Sequence, residues 1–337
     1  MSSARLKVVH AGPLVTLQDE GRFGALRYGV SAAGPMDRLG FASANASLAR
    51  PVGQTAIEVS LGGLTLECLD GPLTLAITGG AFVLSLASQN LSGWQVLTLA
   101  PGEQLSIRGG NWGSWAYVAV AGQIEAQEWL GSAATASMTN FGGGALSAGK
   151  VLTVTQAEAL PGREGPISLP DHYAPPKSIR VTLGPQDRHF SAEQIAAFTQ
   201  DKFTVSGAYD RMGMRLEGPS LSPEGALSIP SEPILRGSVQ VAGDGRATIL
   251  LADHGTTGGY PKIATVLAED QDLLTHLRAG DVFSFTVVTS QEALQIARKE
   301  AEVRSAYLEQ LAAPRATLAE KLMQENLVGG VIAETPD

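Results

Sequence analysis

Between residues 64 and 156 the chain runs LTLECLD, PLTLAITGG, AFVLSLA, QVLTLAPG, QLSIRGG, WAYVAVAG and KVLTVTQ, with Gly, Pro, Asn or Ser between the apolar segments. Several alternate with period two, the pattern of strands with one face on a core. The second half continues with SIRVTLGP, FTVSG, MRLEG, GSVQVAG, ATILLADH, KIATVLA and VFSFTVV. Strands this short and this regularly punctuated predict a mainly β fold built as sandwiches or closed barrels. Charged residues are 17% of the 337 and glycines number 39, which favours tight turns over long charged helices.

One unit recurs. LAPGEQLSI (99–107), LSAGKVLTV (146–154) and LRAGDVFSF (277–285) share Leu, two spacers, Gly, a polar residue and an alternating strand. Each predicts a glycine turn feeding a strand. Copies late in each half suggest two β modules of related design, 1–160 and 179–289. Between them 161–178 carries Pro161, Pro166, Pro170, Pro175 and Pro176 and predicts an extended linker. Helices are few. PMDRLGFASANASLAR (35–50) has helical spacing, with Pro35 suited to the first turn. SAEQIAAF (191–198) opens on a serine cap. A helical tail follows over 290–330: Thr289 and Glu292 suit a capping box, Leu294, Ala297, Ala301, Leu308 and Leu311 form a stripe, and Pro314 stops the first helix. A second short helix is expected around ALAEKLMQ. The tail either packs on the body or binds a partner.

A net charge of −9 argues against nucleic acid or an anionic membrane as partner. No run is long and apolar enough to cross a bilayer, and the first residues lack a signal peptide's apolar core. The single cysteine, Cys68, excludes an internal disulfide and a cysteine-based zinc site, and suits a small buried hydrophobe. Five scattered histidines give no ligand-spaced pair, so no metal is expected. A cytoplasmic protein is expected.

Four stretches carry candidate chemistry. LQDEGRFGALRYGVSAAGPMDR (17–38) brings Gln18, Asp19, Arg22, Arg27, Ser31 and Asp37 into one glycine-rich loop. Such a loop binds a carboxylate and orients an acid or base, or is stapled by its own Asp–Arg pairs. Glu58 precedes a Gly-Gly turn in IEVSLGGLTLE. Arg211 and Arg215 in AYDRMGMRLEGP form an anion clamp or lie on the surface of a strand pair. LADHGTTGGYPKIATV (251–266) is neither a P-loop nor a dinucleotide fingerprint. Its Gly258 and Gly259 amides, the Thr256 and Thr257 hydroxyls and the Lys262 charge suit an oxyanion, unless the segment is only a tight turn.

LQDEGRFGALRYGVSAAGPMD, IEVSLGG, AITGG, YVAVAG, GPQD, DRMGMRLEGP, the SE–G–VQV run and TTGGYPKIATV stand in the order of a known family. Over roughly residues 5–290 the chain resembles the KipA / allophanate-hydrolase-subunit-2 family. That family includes the C component of bacterial 5-oxoprolinase and the matching part of the urea carboxylase carboxyltransferase domain. The resemblance implies two cyclophilin-like β-barrel modules and a site shared with a KipI-like B component. It implies a 5-oxoprolinase complex, with a lactam-hydrolase-like A component, that opens 5-oxo-L-proline to glutamate using ATP at the level of the complex. The alternatives are carboxyl transfer from carboxybiotin to urea or another small amide, with biotin on another chain, and a KipI-binding regulatory protein. Asp19, Glu58 and Lys262 are then the expected catalytic residues. Gln18, Arg22, Arg211, Arg215, Thr256, Thr257, Gly258, Gly259 and Tyr260 are expected to bind substrate. The chain departs from the family at His254-Gly255, where Arg-Gln or Cys-Gln is common, and at bulky Ile234 and Leu235.

Overall fold

The computed structural model describes residues 2–223 and 228–315. The first half forms two sheets. A seven-stranded sheet runs in the order Gln123–Ile124, Val151–Thr155, Ser3–Ala11, Leu64–Asp70, Gln104–Arg108, Val83–Leu86, Gln89–Ser92. A six-stranded sheet runs Gly165–Pro166, Gln95–Leu99, Leu73–Gly79, Trp115–Val120, Ala56–Ser60, Thr16–Gln18. Leu6, Val8, Leu64, Leu66 and Ile107 from the first meet Ile57, Val59, Leu75, Ile77 and Val118 from the second in one apolar core. Cys68 lies buried in it as a free thiol.

The second half closes as a seven-stranded barrel: Ser178–Leu183, Lys262–Val266, Ser238–Val241, Ala247–Leu250, Gly213–Glu217, Lys202–Tyr209, Val282–Val287. Its ends meet in parallel, Ile179 opposite Phe285. Phe203, Phe283 and Phe285 fill the barrel, and Phe198 of the covering helix α2 (Ala192–Gln200) stacks on Phe285 at 4.5 Å. The mainly β character and the helical tail are as expected, but one half closes and the other does not. The open sheets end in strands of two to four residues, and one edge contains Pro166, which has no N–H to donate.

All three recurrent turns share one geometry. Gly102, Gly149 and Gly280 are left-handed, with φ of 87°, 89° and 93°. Their N–H groups donate to Cys68, Val8 and Val205 carbonyls at 2.7, 2.8 and 2.9 Å. The same three residues donate back to the carbonyls of Glu103, Lys150 and Asp281. The repeat is therefore structural.

The remaining helices pack between and around the halves. Helix α1 spans Arg38–Ser47, capped by Asp37, whose Oδ1 accepts the Gly40 N–H at 2.9 Å. Pro35 thus lies ahead of the helix, not in its first turn. The outer face of the six-stranded sheet is rich in alanine (Ala56, Ala76, Ala119), so α1 lies close against it with Phe41, Ala44 and Leu48. That core continues into the barrel. A short helix, α3 (Ala268–Leu274), was not expected from sequence. Helix α4 (Ser290–Ala312) has the expected Thr289/Glu292 capping box and stops before Pro314. It packs against the body on part of the expected stripe: Leu311 meets the core and Ala297 and Leu308 are half-buried, whereas Leu294 and Ala301 are exposed. Polar anchors set its rotation. Arg304 reaches Asp272 at 3.1 Å, and the Tyr307 hydroxyl donates to the Ser168 carbonyl at 2.7 Å. The expected helix around ALAEKLMQ lies outside the described residues. Segment 161–178 begins with a 3-10 turn, Pro161–Arg163, pairs Gly165–Pro166 with the six-stranded sheet, and buries Ile167 and Tyr173. Among the described residues, no helix is long and apolar enough to cross a membrane.

Turn glycines should separate by what surrounds them. At Gly280 a Cβ meets no atom within 4 Å, so Gly280→Ala carries only the left-handed penalty, about 1–2 kcal/mol. At Gly79, with φ 107°, a Cβ would stand 2.5 Å from the Trp115 carbonyl oxygen and 2.7 Å from Ala116 Cα. Urea unfolding should show a clearly larger loss for Gly79→Ala.

Candidate functional site

A buried guanidinium joins the two halves. Arg211 stands in the turn between two barrel strands and is fully buried. Its Nε and Nη2 donate to the two oxygens of Asp253 at 2.9 Å each. Nη1 donates to Glu58 Oε1 from the six-stranded sheet, and Nη2 also to the Gly34 carbonyl at 2.7 Å. Glu58 Oε2 accepts the Met36 N–H at 2.7 Å and the Tyr117 hydroxyl at 2.9 Å.

Two carboxylates share this one cation, and their ionisation is unequal. Burial alone would push Asp253 up, but bidentate pairing with Arg211 and the Ser137 N–H hold it below the usual carboxylate range. Glu58 has a single Arg211 contact, and burial pushes it up. Burial would likewise lower Arg211, yet Asp253 and Glu58 keep it firmly charged. Pairing of this kind in the interior holds only because every charge has partners.

A second buried cluster flanks the first. Asp37 Oδ2 accepts the Tyr173 hydroxyl and lies 3.0 Å from His276 Nε2. Asp272 of α3 accepts from the Arg38 and Leu39 N–H groups, from Arg38 Nε at 3.0 Å and from Arg304. Burial opposes its charge, but Arg38, Arg304 and Arg236 hold Asp272 down at about 2. Arg236 donates to the Pro35 and Met36 carbonyls, so the chain just before α1 is clamped from the barrel side.

Above Arg211 and Asp253 opens a cavity of about 210 Å³. Gly29, Val30 and Ser31 of the first loop form one wall, Trp129, residues 136–139 and Phe141 another, and Met212 with 253–256 the third. Asp253 and His254 line it. The His254 imidazole is pushed below its ordinary value by burial, and its Nδ1 lies 2.5 Å from the Gly255 carbonyl oxygen. That contact makes Nδ1 the protonated nitrogen and leaves Nε2 as the acceptor.

The expected site residues do not gather in one place. Asp19 and Arg22 build the cavity wall. Asp19 accepts from Gly21 N–H, Ser132 Oγ and Ala133 N–H at 2.9, 2.7 and 2.6 Å. Arg22 lies over the Trp129 ring at 5.0 Å and donates to the Trp129 and Ala134 carbonyls. Gln18 is buried beneath them on Thr16 Oγ1 and the Thr135 carbonyl. Glu58 and Arg211 sit in the interior node. Arg215 is apart from both, half-exposed and paired with Asp244, so Arg211 and Arg215 are not a clamp. Thr256 reaches the cavity, whereas Thr257 and Gly258 form a two-stranded ribbon with Glu232–Pro233. A Cβ at Gly258 would overlap Gln240 Nε2, so any side chain there has to displace the Gln240 amide. Tyr260 is half-exposed and Lys262 buried. Sequence reasoning missed Asp253, Trp129, Tyr117 and His276. Only Asp253 had a local signal, its place beside the noted His254.

Residues 28–287 match the family described as carboxyltransferase domain, subdomain A and B. The chain is 32% identical over 301 residues to the C component of 5-oxoprolinase from Haemophilus influenzae, covering 88% of this chain and 94% of that one. It is 31% identical to the C component of 5-oxoprolinase from Escherichia coli, covering 91% and 97%. The crystal structure of Kluyveromyces lactis urea carboxylase superposes with a TM-score of 0.78 at 25% identity. There the match covers 95% of this chain and 30% of that one.

Replacing Arg211 with methionine strands two buried carboxylates, so Arg211→Met should lose about 3–5 kcal/mol in denaturant unfolding. The buried His254 should show in pH dependence. Its folded value is below the ordinary 6.5, so the unfolded chain takes the proton first as pH falls. Its contribution is complete above pH 6.5 and is lost progressively below it. The stability of wild type relative to His254→Gln should therefore be flat above that pH and decline beneath it.

Proposed function

The chain belongs to the carboxyltransferase-domain family, subdomain A and B, and from that premise we propose that it is the C component of an ATP-dependent 5-oxoprolinase complex. The supporting observation is mutual coverage: the similarity to the 5-oxoprolinase C component runs through 94% of that relative's length. The cavity suits a small cyclic amide. Trp129, Phe141 and Met212 give it apolar walls, and Ser31, Asp253, His254 and Thr256 supply polar groups. Neutral His254 Nε2 accepts a hydrogen bond from a lactam N–H and so holds the ring. Asp19 and Arg22 position the Trp129 wall through hydrogen bonds to Ser132, Ala133, and the Trp129 and Ala134 carbonyls. Glu58, pushed up by burial and accepting the Tyr117 hydroxyl, is the carboxyl we assign to proton handling. Lys262 supplies positive charge for a carboxylate or developing oxyanion.

We place the ATP at the level of the complex, with a KipI-like protein and a lactam-hydrolase-like protein as partners. Met138 on the cavity wall is exposed, as are Phe23 and Tyr28 on the first loop and Leu130 beside Trp129, apolar surface suited to a protein partner. Carboxyl transfer to urea or another small amide is the second reading, favoured by the superposition on urea carboxylase. It would place carboxybiotin on another chain.

ATP-dependent glutamate release from 5-oxo-L-proline tests the proposal. Glutamate should form only with this chain and its own KipI-like and lactam-hydrolase-like partners together, and stop when any one is omitted. Asp19→Ala and Lys262→Ala should each lower the assembled rate at least about tenfold. A stable complex that releases no glutamate would overturn the assignment and favour carboxyl transfer; partner binding without dependence on ATP or substrate would favour a regulatory protein.

A further inference from the structure

Lys262 begins a barrel strand and is 2% exposed, and among the described residues its Nζ has no hydrogen-bond partner. The nearest opposite charge is Glu232 Oε2, at 3.7 Å. Directly across the strand pair stands Gln240, 8% exposed, whose Nε2 also lacks a partner. Residues paired in this way project from the same face of the sheet with Cβ atoms roughly 5 Å apart. Val239 and Val241, flanking Gln240, point into the barrel core, so Gln240 and Lys262 point outward beneath the 232–233/257–258 ribbon. Among the described residues, two buried donors on the same face therefore lack a hydrogen-bonded acceptor, with only the Glu232 carboxylate near the lysine, and folded proteins seldom leave such donors unpaired.

We propose that Lys262 and Gln240 form a binding subsite for a monocarboxylate, and that Glu232 is a carboxylate of the chain's own that stands at its entrance and is displaced when the ligand enters. The surroundings are already suited to that group. Gln186 Nε2 donates to Glu232 Oε2, while Gln186 Oε1 accepts the Lys262 N–H at 3.0 Å. Glu232 is half-exposed while Lys262 is buried, so their contact runs from the surface to the interior. One ammonium and one amide match one negative charge with two oxygens. A phosphate dianion would set two charges, beside Glu232, against a single lysine.

The subsite rests on the 5-oxoprolinase reading only for the identity of the acid, which would be 5-oxo-L-proline itself. Calorimetric titration of the full chain alone, without partners or ATP, separates the two. The chain should bind 5-oxo-L-proline and bind 5-oxo-L-prolinamide, which lacks the carboxylate, at least about tenfold more weakly. Glu232→Gln should tighten binding of the acid, and Lys262→Met and Gln240→Leu should weaken it while each variant keeps a cooperative thermal transition. Lys262→Arg should retain more affinity than Lys262→Met. Equal binding of acid and amide, no binding of either, or an unchanged Lys262→Met would overturn the subsite and leave a buried water as the partner of both donors. Acid binding with this variant pattern, in a chain whose complex releases no glutamate, would keep the subsite and reject 5-oxoprolinase.

Discussion

A single buried guanidinium holds the molecule's parts in register. Arg211 comes from the barrel, Glu58 from the six-stranded sheet, Asp253 from the loop beside the cavity, and the Gly34 carbonyl from the first loop. None of these charges is affordable in the interior without the others. Three segments converge on one planar cation, and one of them carries a residue of the cavity lining, Asp253. Asp253 is fixed in direction and charge by the same contact. His254, the next residue, inherits that placement.

The sheets and turns were legible from the sequence because their causes are local. Alternation, a glycine at each left-handed position and serine or threonine caps are short-range statements, and the structure repeats the same turn after Leu99, Leu146 and Leu277. Whether a set of strands closes is not local, and only the second half closes. Helix α3 escaped notice because it follows a strand with no side-chain cap, Leu267 standing at its N-cap. The site was legible in part. Asp19, Arg22, Glu58 and Arg211 were noticed as charged residues in glycine-rich surroundings. Their partners were not, because Arg211 meets a glutamate 153 positions away and Asp37 a histidine 239 away. Arg215 shows the converse. Its spacing from Arg211 looked like a pair, yet it stands on the surface with Asp244.

Helix α4 docks with a partial apolar stripe, Tyr307 and Leu311 against the core, because ionic anchors supplement it. Arg304 shares Asp272 with Arg38, and so ties the helix to both α3 and the start of α1. Arg163 donates to the Leu311 and Ala312 carbonyls at the helix C-terminus, groups that lack intrahelical donors.

The six-stranded sheet is buried on both sides, and this changes what specifies its alignment. In a sheet with one wet face, slipping a strand by one position exposes its apolar residues to water. Here such a slip would trade one dry interior for another, so polarity cannot distinguish right from wrong. Size does so instead. Leu73, Leu75 and Ile77 fill the gap between sheets, while Thr74, Ala76 and Thr78 turn to the opposite side. Thr78 Oγ1 donates to the Gly40 carbonyl of α1 at 2.6 Å. Bulk on one side and thin side chains with a few hydroxyls on the other act as a key cut to two locks.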